Sequence, residues 1–155
     1  MSANEAYFGL TPLAFNALMQ TWAHTVPEEE HDTIFKKIAL DALTKLTLKT
    51  PVLTGRARGN WQVTVGSPSQ ASDPSKIDPS GGQANDSPNL EYANRTGGDR
   101  VIGEGAVTVL DAKSSDIIWI SNNVPYIVRL EEGHSGQAPT GMLQNTINEL
   151  EVVFK

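Results

Sequence analysis

Three histidines, His24, His31 and His134, are the side chains here that could ligate a metal or move a proton near neutral pH, and the chain has no cysteine to join them. His31 is followed directly by Asp32. Neighbours on a helix point in different directions, so the pair reads as the charged start of a helix rather than a chelate. His24 falls at the end of a helical pattern, where an imidazolium suits the dipole, and no second ligand is spaced to meet it. His134-Ser135, following Glu131-Glu132, supplies the residue types of a serine hydrolase. Adjacent His and Ser side chains rarely reach the required geometry, and no Gly-x-Ser-x-Gly elbow is present, so a polar loop leaving a helix is expected. Gly97-Gly98 and Gly103-Glu104-Gly105 match neither the P-loop nor the dinucleotide fingerprint. Arg56 and Arg58, just before Trp61, could run along a nucleic-acid backbone. The net charge of −6 favours an interface or ion-pair role for them instead. The expectation is therefore a protein that is not an enzyme, with no catalytic residue, cofactor or metal.

The elements that must position these residues follow from periodicity. Residues 11–24 read as a helix, with Thr11 as cap, Pro12 in the first turn, and Phe15, Leu18, Met19 and Trp22 on one face. A second, longer helix starts at Pro27 with Glu28, Glu29, Glu30 and Asp32 in its opening turns. It carries Ile34, Phe35, Ile38, Ala39, Ala42, Leu43 and Leu46 at helical spacing to about residue 47, and Pro51 ends it. After a tight connection over 50–55, Trp61, Val63 and Val65 alternate with polar residues as a half-buried strand over 60–65. Residues 106–110 suit either a strand or one or two helical turns. Residues 116–121 read as a short buried strand, and Asn122-Asn123 as a turn. A short helix over 125–132 closes at Gly133, and a last helix starts at Pro139 with Met142, Leu143, Thr146, Ile147 and Leu150 inward. Trp61 and Trp119 should pack on the long helix, and Tyr126 should bury its ring with the hydroxyl bonded. This is an α+β fold: a small antiparallel sheet packed against a long helix in the N-terminal half, with a C-terminal helix.

The 155 residues make one domain. Its 13 Gly and 9 Pro are concentrated between 66 and 105, so an extended loop or arm over 67–105 is expected, able to order against a partner. The first nine residues have neither a basic stretch nor a long apolar one, and no run of about eighteen apolar residues occurs. A cytoplasmic protein without leader or membrane span is expected.

Three segments carry a resemblance. Thr50-Pro51-Val52-Leu53-Thr54-Gly55-Arg56-Ala57-Arg58-Gly59-Asn60-Trp61 is similar to a TPVxTGRxRxxW segment. Asn122-Asn123-Val124-Pro125-Tyr126 is followed by Leu130-Glu131-x-Gly133-His134-Ser135, and Gln137-Ala138-Pro139-x-Gly141-Met142 precedes the last helical pattern. In this order they resemble the tail-completion, or neck, proteins of long-tailed bacteriophages, also described as minor tail or head–tail joining components. The resemblance runs from about residue 30 to the end and does not include 67–105. Leu53 stands where the family often has Asp, and Thr140 where Ala is common. The resemblance implies a structural virion protein. Its subunits would form a homo-oligomeric, hexameric ring at the top of the tail, between the head connector or stopper ring and the tail terminator or tail-tube proteins. Genomic DNA would pass through without sequence-specific binding, and host cytoplasm would be the site of assembly. The alternative is a tail terminator ring that caps the tube and stops its polymerisation. The motif residues are then fold or interface positions, and a channel wall lined with carboxylates, Glu28, Glu29, Glu30 and Asp32 among the candidates, would keep DNA from sticking.

Overall fold

The computed structural model describes residues 12–25, 27–78 and 97–154. Among them are six helices and a two-stranded antiparallel sheet. The first helix, α1, is Pro12–Thr25, with Pro12 in its first turn and His24 in its last. Thr11 and the side chains of Phe15, Leu18 and Trp22, expected as cap and apolar face, lie outside what is described.

The long helix α2 spans Glu28–Lys49, two residues past the expected end. Three glutamates occupy its first turn, where exposed N–H groups favour negative charge. Ala39, Leu43 and Leu46 are buried on its inner face. Lys36–Asp32 and Lys37–Asp41 pair along its outer face at 3.7 and 3.1 Å. Pro51 disfavours helical backbone at Thr50, which turns to φ −66°, ψ 126°.

Where a direct run into a strand was expected, a one-turn helix intervenes: α3, Arg56–Gly59. Gly55, at φ 84°, makes the corner before it, a conformation that costs a residue with a Cβ but not glycine. Strand β1 is therefore shorter than expected, Gln62–Val65, and Trp61 lies just before it. It pairs with β2, Ile118–Ser121, in the register Gln62↔Ser121 to Val65↔Ile118. Alternation puts Val63, Val65, Ile118 and Ile120 on one face and Thr64 with Trp119 on the other. The expected buried strand is thus only half covered. Trp119 is 40% exposed rather than packed on α2, its indole N–H donating to the Gly66 carbonyl at 3.0 Å.

The ambiguous stretch is helical: α4, Asp99–Asp111. It packs on α2 and β1. Gly105 makes this approach possible, because a Cβ there would collide with Leu43 Cδ2 and Val63 Cγ2. The expected arm over 67–105 is correspondingly narrower. Residues 99–105 belong to α4, residues 67–78 are tied to the body, and 79–96 lie outside the described residues.

Helix α5, Ile127–Glu131, is followed by Gly133 at φ 84°. The last helix, α6, is Leu143–Phe154. It starts four residues after Pro139, because 135–142 are spent in turns and the first-turn amides are taken by Glu131 from another element. Met142, Thr146 and Leu150 are buried, whereas Leu143 is exposed and Ile147 half-buried. Helix α6 packs on α2, so α2 sits between α4 and α6.

Candidate functional site

The three motif segments meet around the C-terminal end of α2. Thr50 is buried; its hydroxyl donates to the Leu46 carbonyl at 2.6 Å and accepts the Trp61 indole N–H at 2.7 Å. Trp61 thereby reaches the cluster of Leu46, Ala138 and Met142, and packs on α2 at its Leu46 end. Pro51 and Val52 are buried, and the Thr54 hydroxyl accepts the Arg56 N–H at 3.3 Å.

Asn60 is fully buried and is the densest node. Its amide nitrogen lies 2.8, 2.9 and 3.1 Å from the carbonyls of Arg56, Asp73 and Lys76, and its oxygen accepts the Asp73 N–H at 2.8 Å. One side chain thus ends α3 and fastens the 73–76 turn. An asparagine pair fixes the same region. Asn122 donates to the Ala57 carbonyl at 2.7 Å, and Asn123 to those of Ser69 and Ala71 at 2.7 and 3.1 Å. Loop carbonyls without a sheet partner need such donors when covered. Pro125 is exposed, and Tyr126 is half-buried as the residue before α5.

Glu131 closes the junction from the other side. Its carboxylate accepts the N–H groups of Met142 and Leu143 on Oε2, both at 2.8 Å, and that of Gln144 on Oε1 at 3.0 Å. Three otherwise orphaned donors at the start of α6 are met by one negative charge. Gly141, at φ 82°, leaves the space, since a Cβ there would press on the Glu131 backbone carbonyl and carboxylate. Gln137 pairs with Val52 as a strand residue would: the Val52 N–H donates to its oxygen at 2.9 Å, and its amide donates to the Val52 carbonyl at 3.1 Å. Pro139 is exposed and Ala138 and Met142 are buried.

The same geometry places the His134–Ser135 and Arg56–Arg58 pairs. His134 Nδ1 lies 3.0 Å from the Arg129 carbonyl and 3.9 Å from Glu132, and the Ser135 hydroxyl accepts the Gln137 N–H at 3.2 Å. Both side chains serve their own loop and do not form a nucleophile–base pair. Arg58 is fully buried and therefore cannot lie along a nucleic-acid backbone; Arg56 is half-buried. Among the described residues no group of three or more His, Asp or Glu could hold a metal, and no helix is long and apolar enough to cross a membrane.

Sequence reasoning passed over several residues that matter. Lys45 and Lys49 of α2 both reach Glu149 of α6, at 2.8 and 2.7 Å. Burial pulls the Lys49 pKa down, opposed by the hydrogen bond and charge of Glu149. Arg100 of α4 donates to the Gly59 carbonyl at 3.1 Å. The Asp32 carboxylate accepts the Ser114 N–H at 2.7 Å, which lowers its pKa and ties the start of α2 to the turn after α4. The position of Lys49 near the inward stripe was a readable signal. The contacts of Arg100 and Asp32, across 41 and 82 residues, left none.

No protein-family model, curated protein or solved structure matches this chain.

Proposed function

We propose that the chain is a structural subunit of the neck of a long-tailed phage, forming a ring that completes the tail and joins it to the DNA-filled head. The observation that carries this reading is the convergence of the three motif segments. Residues 50–61, 122–126 and 130–142 build one junction, in which Gln137 grips Val52 and Glu131 caps α6. Consistent with a subunit that buries more surface on assembly, Val107, Leu110, Ile117, Val128 and Val152 are exposed. Glu28, Glu29 and Glu30 are exposed at the start of α2, where they would repel DNA sliding past if that end faces the channel.

The test is a null mutant of the phage that encodes the chain, viewed by electron microscopy. Full heads beside separate tails of normal length are expected, with joining restored by added protein. Overlong tails would assign the terminator role instead, and normal infectious particles would end both readings.

A further inference from the structure

Helix α6 is docked by charge as much as by apolar contact. It packs on α2 through Thr146 and Leu150, with Met142 just before it, while Val152 and Val153 at its far end are exposed. Between the helices, Glu149 offers one oxygen to Lys45 and the other to Lys49. The Lys49 side chain is only 6% exposed, while that of Glu149 is 32% exposed. Lys45 and Lys49 are four residues apart on one helix face, where like charges repel. The carboxylate bridging them offsets that repulsion and the desolvation of the buried ammonium. Lys45 and Lys49 from α2 flank Glu149; Glu151 follows two residues later on its own helix, and Glu131 from α5 holds the first turn.

We propose that α6 is a releasable latch on α2, held shut by the charge of Glu149 and opened by loss of that charge, which uncovers the α2 surface around Lys45, Leu46 and Lys49. Closing the latch brings a negative group between two positive ones; opening it returns the ammonium of Lys49 to water. Any event that neutralises Glu149, or pairs it with a stronger cation from a neighbour, shifts the helix outward while the sheet and α4 stay in place. The device acts within one subunit and does not depend on the role of the particle.

The test uses substitution at constant neutral pH, with hydrogen–deuterium exchange read by mass spectrometry on the full chain. Glu149→Gln should speed exchange of the α6 amides by about tenfold or more, with β1, β2 and α4 unchanged. Adding Lys49→Met, which removes the buried ammonium, should return α6 exchange to within about threefold of the parent. Unchanged α6 exchange in Glu149→Gln, a uniform rise over the whole chain, loss of the folded circular-dichroism spectrum, or failure of Lys49→Met to restore protection would each overturn the proposal.

Discussion

The junction at the end of α2 and the helical layer of α2, α4 and α6 hold together by different means. In the layer, the interior of each helix satisfies its own backbone, and side chains are free to pack: Leu43, Val109 and Leu150 are buried there, and Gly105 lets α4 approach closely. In the junction the chain runs through one-turn helices and turns, so its backbone groups need outside partners. Asn60, Asn122, Asn123, Glu131 and Gln137 provide them. Polar side chains of the motif segments are thus used as substitutes for missing secondary structure. The difference teaches that a polar motif in a loop-rich segment should first be tested against the backbone around it.

Substitutions can break that contrast. The largest effect is expected at Asn60, where Asn60→Ala strands three carbonyls and one N–H in a covered site. It should cost about 3 kcal/mol, read as a lower urea midpoint at unchanged slope. Glu131→Ala should cost about 2 kcal/mol and fray the start of α6, whereas Glu131→Gln, which keeps an acceptor, should lose less. Trp119→Ala removes a half-exposed ring and one hydrogen bond, and should cost only about 1 kcal/mol in the isolated subunit. If its outer sheet face meets a neighbour, the same variant should fail in assembly far beyond that loss.

The smallest effects come from pH: in both regions stability rises with pH, but in separate windows. Asp73, bonded to Asn60 through its backbone, has its pKa lowered below 3.8, first by the Ser75 hydroxyl and then by the Ser75 N–H. A depressed carboxylate contributes stability that is present above the unfolded value and lost as pH falls through the folded one. Asp73→Asn should therefore flatten the acid limb of a denaturation profile below about pH 4. Lys49 has its pKa lowered from 10.5 by burial. There the unfolded chain binds more protons, so stability should rise as pH climbs toward 10.5, and Lys49→Met should abolish that rise.

The helical layer was largely legible in the sequence, because the periodicity of α2 and the proline and glycine punctuation are local signals. Helix α4 was not resolved, because Val107-Thr108-Val109 favours extended backbone while its two internal glycines weaken a helix. Gly105 is explained only by Leu43 and Val63, far away in the chain. The start of α6 was placed too early for a similar reason: Pro139 carries the local signal, but the cap is Glu131. Trp119 was expected inside because its type suggests burial, whereas the register turns it to the outer face. At the junction, residues from separate motif segments come together in space. What they do there depends on contacts spanning as many as 85 residues.

The grip of Gln137 on Val52 has a consequence for how the molecule is made. Its two hydrogen bonds join positions 85 apart in the chain, closing a loop that the β1–β2 pairing and the Asn122 bond to Ala57 also hold. Closing so long a loop costs entropy, so this clasp is expected to form after the pairings nested inside it. A clasp absent from the transition state governs how fast the native chain comes apart rather than how fast it forms. Losing the Gln137 grip is therefore expected to shorten the lifetime of the folded subunit more than it slows folding.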